Sequence, residues 1–338
     1  MHRKPARYLT SALLLLLLAG CEPRQHLVQQ HLLEFGTIIE ITMIHDDLRH
    51  AEALLAEVEQ QLYRQRQRYH AWEDSDLSRF NRALDQDSRV RIPETLRPML
   101  ELSQRYYALT DGLFNPAMGR LIAAYGFHGA AADDRRLREL RRDLPVMTDL
   151  VMDGDYASSR NPNLQLDLGG IAKGYAIGQV AQYLDENGVE HYLINAGGDL
   201  VTRGDRFGKP WRIGIRNPFA PGVFASIELR GRNSLFTSGN YARRYRVGNR
   251  FRHHIIDPRS GQASSGQSSA TVLSPDPALA DVAATALMID GATRHRELGR
   301  SLGIDDYLVV TEDRRILVSH SLAARLEIRS RWPVSIVD

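Results

Sequence analysis

Residues 167–179, DLGGIAKGYAIGQ, combine residue types that suit the binding of phosphate. An acidic residue and a glycine pair follow an apolar stretch and run directly into a predicted helix that carries Lys173. Glycine lets a ligand approach the backbone, while the first-turn N–H groups and the helix dipole favour an anion. Only three of the 43 lysine and arginine residues are lysine, so we interpret Lys173 as selected for its geometry. The alternative is a tight strand-to-helix turn, because short glycine motifs often occur without a ligand.

The segment ALADVAATALMIDG, residues 278–291, places Asp281 and Thr285 four residues apart on a predicted helix. Residues at this spacing share one helix face, so a carboxylate and a hydroxyl lie close together. Hard oxygen donors suit Mg²⁺, which takes one or two protein carboxylates and fills its other positions with phosphate oxygens and water. The alternative is an acid near a helix N-terminus and a threonine that bonds its own backbone.

Residues 250–256 predict a strand in which successive side chains point to opposite faces. His254 and Ile256 then share one face, with His253 and Ile255 on the other. No HExxH or comparable spacing of histidine and cysteine predicts a zinc site, which favours an acid/base or phosphate-contacting role for His254. A purely structural histidine is the alternative. No G-x-S-x-G or Walker lysine motif is present, which argues against serine hydrolases and P-loop NTPases.

The predicted helices and strands follow one another in an irregular order, which favours a mixed α/β (α+β) fold over a regular doubly wound sheet. A strand over 37–45 precedes a helix capped by Asp46 or Asp47, whose inward face is predicted to hold Leu48, Ala51, Leu55, Val58 and Leu62. Further helices are predicted from about Pro93 to Leu109, from Ala172 to Asn187-Gly188 and from about Pro277 to Ile289.

Residues 1–20 predict an export signal, because three cations precede an apolar run that is too short to span a bilayer. The run ends in Leu18-Ala19-Gly20-Cys21, which resembles a bacterial lipoprotein signal with Cys21 as the lipidated residue. Residues 21–30 are predicted to form a tether, and residues 31–338 a single two-lobed domain. Removal of the signal leaves 40 basic against 41 acidic residues, so a nucleic-acid-binding surface is not indicated.

Eight motifs in order along the chain closely resemble the ApbE family of FAD:protein FMN transferases, which are exported and are usually lipoproteins. The matching segments are FGT at 35–37, DSDLSRFN at 74–81, DGLFNPAMGRL at 111–121, DLGGIAKGYA at 167–176, NAGGD at 195–199, TSGNY at 237–241, HIIDPRSG at 254–261 and DVAAT at 281–285. The resemblance extends from about Phe35 to Gly291 and implies an ApbE-like domain of mixed sheets and packed helices.

The resemblance also implies roles for individual residues. It makes the Gly170 carbonyl, Asp281 and Thr285 the ligands of Mg²⁺, and Phe35 and Trp72 contacts of the flavin. It assigns the rest of the FAD site to Leu113, Phe114, Asn115, Asp167, Lys173 and Ile256, with Asn195, Gly197, Gly198 and Asp199 shaping the same cleft. The family often has methionine at Phe35 and aspartate at Asn115 and Asn240. Both asparagines keep hydrogen-bonding capacity but lose a charge, so acid/base chemistry is not expected of them.

The implied reaction is Mg²⁺-dependent transfer of FMN from FAD to a threonine or serine hydroxyl of an acceptor protein, with release of AMP. His254 or Asp281 accepts the hydroxyl proton, and His254 is favoured because a metal-bound carboxylate is a poorer base. Two other functions remain open, an Mg²⁺-dependent FAD pyrophosphatase and a non-enzymatic FAD-binding lipoprotein. The implied acceptor is an exported or membrane-embedded redox protein, such as a respiratory complex subunit, and the implied location is the periplasmic side of the inner membrane rather than the outer.

Overall fold

Helices and strands alternate irregularly in the structure, a computed structural model that describes residues 25–127, 131–242, 244–247 and 250–337. A 3₁₀ turn covers Met147–Asp149. The α-helices of the described residues are α1 (Leu48–Tyr69), α2 (Asp76–Gln86), α3 (Arg97–Leu109), α4 (Gly119–Tyr125), α5 (Asp134–Leu140), α6 (Ala172–Glu186), α7 (Pro277–Leu302) and α8 (His320–Ala323). Their strands are β1 (His26–Glu34), β2 (Thr37–His45), β3 (Val90–Arg91), β4 (Leu150–Asp153), β5 (Tyr156–Ser159), β6 (His191–Ala196), β7 (Asp199–Arg203), β8 (Trp211–Arg216), β9 (Val223–Leu229), β10 (Asn233–Gly239), β11 (Arg244–Val247), β12 (Arg250–His253), β13 (Ile256–Asp257), β14 (Gln262–Ala263), β15 (Gln267–Ser274), β16 (Asp306–Thr311), β17 (Ile316–Ser319), β18 (Leu326–Ile328) and β19 (Val334–Val337).

The largest sheet has nine strands in the order β1-β2-β6-β7-β10-β15-β16-β17-β19. Its neighbours pair antiparallel except for β17 and β19, which pair parallel. Smaller sheets are formed by β18-β9-β8, β3-β5-β4, β11-β12 and β13-β14. The mixed α/β class predicted from the sequence is therefore confirmed.

The two faces of the nine-stranded sheet border different hydrophobic clusters, because side chains alternate along each strand. On β10, Phe236 enters the larger cluster, which also contains the buried faces of α1, α6 and α7. Its neighbour Leu235 enters a second cluster with Trp211 and Phe224 from the three-stranded sheet. We call these the helical face and the far face of the sheet.

The helix predictions hold where the sequence carries a local signal. Asp47 caps α1 and accepts hydrogen bonds from the backbone N–H groups of Arg49 (2.9 Å) and His50 (3.1 Å). Leu48 is 44% exposed, so its assignment to the inward face is wrong; it lies in the first turn, outside the buried stripe. Helix α3 begins at Arg97 rather than Pro93, and α7 continues beyond Ile289 to Leu302 across a kink.

The structure tests only part of the predictions for the N-terminal residues. Residues 1–24, which include the predicted signal and Cys21, lie outside the described residues. Residues 26–30 were predicted to belong to the tether but form the first half of β1, which pairs with β2 along its whole length. Within the described residues, no helix combines the length and apolar character that a membrane span requires.

Candidate active site

The glycine turn before α6 is held by its own backbone and by an aromatic neighbour. Asp167 accepts a hydrogen bond from Gly169 N (2.8 Å), and the Leu168 carbonyl accepts bonds from Ile171 N and Ala172 N. A β-carbon at Gly170 would lie 3.4 Å from the ring of Phe114, so the turn fits closely over that side chain. Helix α6 then begins without a capping side chain of its own, since Ile171 supplies none.

A close helix crossing brings Asp281 to the start of α6. A β-carbon at Gly174 would meet the Pro277 carbonyl at 2.5 Å and the Asp281 Cβ at 2.7 Å, so the packing of α6 on α7 requires glycine there. Gly174 N donates to Asp281 Oδ2 at 2.8 Å. Asp281 therefore caps α6 from the neighbouring helix and occupies a first-turn N–H that the sequence had assigned to phosphate.

Lys173 lies between two carboxylates that are distant in sequence. Its ammonium forms an ion pair with Asp199 Oδ2, lies 4.0 Å from Asp281 Oδ1, and lies 5.2 Å from the centre of the Phe236 ring. Asp199 Oδ1 also accepts a hydrogen bond from Thr237 N (2.8 Å). Burial raises the pKa of Asp281, while the Lys173 charge and the Gly174 N–H lower it. A cation at Asp281 therefore offsets the cost of burying its charge.

The oxygen atoms around Asp281 fit a hard divalent cation. Asp281 is 6% exposed, and Gly174 occupies one of its carboxylate oxygens, which leaves Oδ1 towards Lys173. Thr285, one turn further along α7, is partly exposed within an otherwise buried stretch, and its hydroxyl lies 3.2 Å from Ser238 Oγ. Among the described residues, no group of three or more histidine, cysteine or acidic side chains forms a metal site. One carboxylate with neutral oxygens suits Mg²⁺, which binds few protein ligands and keeps positions for phosphate and water.

Two strand turns lie beside one another next to this cluster. Phe35 and Gly36 connect β1 and β2 with positive φ angles of 52° and 69°, as in a type I′ turn. Gly197 has a φ of 68°, and a β-carbon there would overlap the side chain of Thr37. Asn195 accepts a hydrogen bond from Gly198 N at 2.9 Å. The structure thus places the FGT segment against the NAGGD segment. The last residue of NAGGD, Asp199, forms the ion pair with Lys173.

Several residues assigned to the FAD site are buried rather than presented to a ligand. Leu113, Phe114 and Ile256 are each at most 5% exposed; Phe114 supports Gly170, and Ile256 belongs to a third hydrophobic cluster with Tyr125. Trp72 is partly buried against the larger cluster. Direct contact of these side chains with FAD stays a prediction.

The two asparagines at family aspartate positions serve the backbone. Asn115 donates to the Pro145 carbonyl (2.9 Å) and accepts from Ala117 N (3.1 Å). Asn240 donates to the Gln267 carbonyl at 3.2 Å. Both amides therefore fix loops through neutral hydrogen bonds, without a charge at either position.

The strand predicted over 250–256 is wrong in its second half. Strand β12 ends at His253, and Ile255 and Ile256 are both buried, so His254 and Ile256 do not alternate with His253 and Ile255. The ring of His253 bonds the Ser264 carbonyl at 2.9 Å, and burial lowers its pKa. His254 lies in the following bend, partly buried, with its ring 6.4 Å from that of Phe127 in an edge-to-face arrangement.

One positioning residue was missed by the sequence analysis. Asn81 on α2 donates to the Leu166 carbonyl and accepts from Leu166 N, both at 2.9 Å, and so binds the segment that enters the glycine turn. Helix α2 itself begins with a capping box between Ser75 and Ser78. The available signal was a buried polar residue on the apolar face of an amphipathic helix.

Comparisons with known proteins agree with this architecture. A model of the ApbE family matches residues 35–308. A FAD:protein FMN transferase from Rhodobacter capsulatus is 35% identical over 90% of this chain, and the chain spans 60% of the length of that relative. A FAD:protein FMN transferase from Klebsiella pneumoniae is 31% identical, with 82% of each chain covered.

Solved structures give the same result. The flavin transferase ApbE from Vibrio cholerae superposes with a TM-score of 0.77 at 28% identity, covering 89% of this chain and 100% of that one. The ApbE protein from Thermotoga maritima gives a TM-score of 0.80 at 25% identity, covering 89% and 99%. The resemblance noticed in the motifs is confirmed, and the chain belongs to the ApbE family.

Proposed function

We propose that this protein transfers the FMN moiety of FAD to a threonine or serine hydroxyl of an acceptor protein and releases AMP. The observation that carries the proposal is the meeting of the glycine turn, Lys173 and the Asp281–Thr285 turn of α7 at one point. The FAD:protein FMN transferase names of its relatives support it. In this reaction the acceptor oxygen forms a bond to the FMN phosphorus as the bond to the AMP phosphate breaks.

Mg²⁺ is the metal that the residues fit. Asp281 Oδ1, the Thr285 hydroxyl and the Gly170 carbonyl would hold it. When bound, the ion polarises the phosphate oxygens and stabilises the charge that develops on the leaving group.

Lys173 is the cationic side chain of the site in this proposal. Lys173 binds the pyrophosphate of FAD as a compact point charge. Its ion pair with Asp199 orients the ammonium. Asp281 is tied to Gly174 and holds the start of α6 at a fixed position beside it. Preorganised charge of this kind is a large contribution to catalysis of phosphoryl transfer.

His254 is the proposed acceptor of the hydroxyl proton. Its neighbours are both fixed, because the His253 ring bonds the Ser264 carbonyl and Ser264 N donates to the Ile255 carbonyl at 3.0 Å. A positioned imidazole suits general base catalysis near neutral pH.

The proposed location is supported by the N-terminal sequence, and the proposed partner by the family resemblance. We propose a lipoprotein anchored through Cys21 on the periplasmic side, with the inner membrane preferred, because the signal-like residues 1–20 end at that cysteine. The partner is then an exported or membrane-embedded redox protein, such as a respiratory complex subunit, that exposes a threonine or serine.

The test uses the full chain, FAD, MgCl₂ and a candidate acceptor protein. Intact-mass spectrometry should show an acceptor heavier by one FMN, with flavin fluorescence retained on a denaturing gel and AMP in the supernatant. An acceptor with its threonine changed to alanine, and a reaction with EDTA, are the controls.

The other outcomes identify the two rival functions. Free FMN and AMP with an unmodified acceptor indicate a pyrophosphatase. Tightly bound FAD that stays intact indicates a non-enzymatic flavin carrier. Either result with several candidate acceptors contradicts the transferase proposal.

A further inference from the structure

The hairpin that follows His254 is fastened to the helix that carries Asp281 and Thr285. Strands β13 and β14 pair through Ile256 with Ala263 and Asp257 with Gln262, and Arg259 lies in the turn between them. The Arg259 guanidinium binds Asp257 through Nε (3.0 Å) and Nη2 (2.8 Å), and Asp290 of α7 through Nη1 (2.6 Å). One planar side chain therefore connects the turn of the hairpin with α7.

The carboxylates of this bridge are the less exposed partners. The side chains of Asp257 and Asp290 are 19% and 16% exposed, against 51% for Arg259. The hydrogen bonds that Arg259 donates to both carboxylates raise its pKa, with the bond to Asp257 the larger cause. A fork of two carboxylates around one guanidinium is geometrically specific, and lysine cannot reproduce it.

The bridge ends at an irregular part of α7. Asp290 has a non-helical φ of −142°, and Arg294 is also non-helical, so the helix kinks between them. With its amide turned to satisfy its neighbours, Gln267 donates to the carbonyls of Met288 (3.2 Å) and Ser265 (2.7 Å) and accepts from Ala292 N (3.2 Å). The kink is therefore held by inserted hydrogen bonds, and a fixed Asp290 is a firm anchor for Arg259.

The base of the hairpin and the last residue of its turn make separate contacts. His253 and Ile255 on either side of His254 both bond to Ser264, and the Gly261 carbonyl accepts from Tyr125 (2.8 Å) and Arg141 (3.0 Å). The Ser264 bonds close the base of the hairpin, and the Gly261 bonds connect its turn to Tyr125 of α4 and to Arg141, which follows α5. The Arg259–Asp290 pair ties it to the helix of the proposed metal ligands.

We propose that Arg259 is a positioning residue that sets the placement of the His254 hairpin relative to Asp281 and Thr285. The inference rests on the proposed transferase function for its kinetic consequence. Misplacing a reacting group by about 1 Å can cost on the order of 100-fold in rate. Loss of the bridge therefore lowers the rate of the chemical step and leaves FAD binding at Lys173 intact.

The test compares Arg259→Gln, Arg259→Lys and Asp290→Asn with the unmodified full chain. R259Q should lower kcat by roughly 10- to 100-fold with little change in the KM for FAD. R259K should recover part of the rate, because an ammonium keeps the charge without the fork. The acid limb of the kcat–pH profile, which reports a general base, should also move in R259Q.

The matched control is Arg203→Gln, since Arg203 ends β7 and contacts the C-terminal end of α6 rather than its start. Arg203 pairs with Asp185, whose side chain is 16% exposed like that of Asp290. R203Q should lower the melting temperature without changing kcat or the pH profile. Hydrogen–deuterium exchange of residues 254–264 should rise in R259Q and not in R203Q, and this measurement needs no activity.

Each outcome decides between the two proposals. If R259Q keeps the kcat, the pH profile and the hydrogen–deuterium exchange of the unmodified chain, the positioning role is overturned and the transferase function stands. The positioning role is also overturned if R259Q and R203Q both lose activity, each in proportion to the fall in its melting temperature. An unmodified chain that transfers no FMN contradicts the proposed function, and the exchange of 254–264 then decides on the bridge alone.

Discussion

Carboxylates on the two sides of the nine-stranded sheet have pKa values shifted in opposite directions. On the helical face, burial raises the pKa of Asp281, and Lys173 is the nearby cation. Beyond the far face, Glu327 is exposed, and hydrogen bonds from Arg329 and Ser226 lower its pKa to about 2. The far face buries Trp211, Phe224 and other apolar side chains. Both faces gain stability from apolar burial, but the helical face also buries the Asp281 charge at a cost in stability, and in our proposal that charge acts on the substrate.

The largest expected effect is on the helical face, at Asp281. Asp281→Ala should reduce Mg²⁺-dependent AMP release from FAD by at least about 100-fold, because the carboxylate is the charged metal ligand in the proposal. Asp281→Asn keeps an acceptor for Gly174 N but not the charge, and should be nearly as inactive. Chromatographic measurement of AMP checks both variants.

The control for Asp281 lies on the same helix. Asp276 caps α7 by accepting from Ala278 N (2.9 Å) and Leu279 N (3.2 Å). Asp276→Ala should cost about 1 kcal/mol of unfolding free energy and leave AMP release unchanged. Normal release in D281N would remove Asp281 from the metal site.

The far face should show the reverse pattern, large in stability and absent in activity. Phe224 is 1% exposed, and Phe224→Ala should cost about 3–5 kcal/mol of unfolding free energy through lost burial and a cavity. Below its melting temperature the variant should keep the kcat of the unmodified protein. Urea unfolding and steady-state kinetics on the same sample test this. A lower kcat in fully folded protein would contradict the view that the far face contributes to stability but not to activity.

A pair of glycines makes the comparison at a finer scale. In Gly174→Ala the new methyl group would meet the Pro277 carbonyl at 2.5 Å, a backbone atom that cannot move aside. In Gly214→Ala on β8 it would meet Val223 Cγ1 at 2.7 Å, the end of a side chain that can rotate. G174A should cost about 1–3 kcal/mol and displace Asp281, with loss of AMP release, whereas G214A should cost less and keep the activity. Equal behaviour of the two variants would contradict the close crossing of α6 and α7.

The smallest expected effect is a pH dependence from His253, the last residue of β12. Burial lowers the pKa of His253 below 6.5, so the unfolded chain binds the proton more readily than the folded one. The stability from neutral His253 is complete above pH 6.5 and is lost as the pH falls through the lowered value. His253→Gln should reduce the fall in melting temperature between neutral and mildly acidic buffer by a few degrees, on the order expected for about 1 kcal/mol. A residual slope is expected, since burial also lowers the pKa of His295.

The parts of this fold that the sequence predicts are those with local causes. The β-rich run of β2, the Asp47 cap and the start of α6 follow from neighbouring residues, and all three agree with the structure. Local patterns also grouped Asp281 with Thr285 on one helix. The family resemblance assembled the remaining segments without giving their contacts.

The failures have long-range causes. Nothing near Gly174 indicates that its N–H binds a carboxylate 107 residues away. Asn81 reaches Leu166 across 85 residues. The strand ends before His254 because Ser264 bonds both of its neighbours, His253 and Ile255, and a contact with a residue so far along the chain leaves no trace in a strand pattern. Side-chain alternation was thus a sound rule applied beyond the end of the strand.

Because lysine is rare in this chain, Lys173 can be followed by chemical labelling of amines. Lys173 is partly exposed, and the other lysines are Lys209, which is exposed, and Lys4. Amine-directed acylation followed by peptide mapping would therefore compare one site lysine with Lys209 as an internal reference in the same sample. Protection of Lys173 by added FAD would report occupancy by the nucleotide directly, without an acceptor and without turnover.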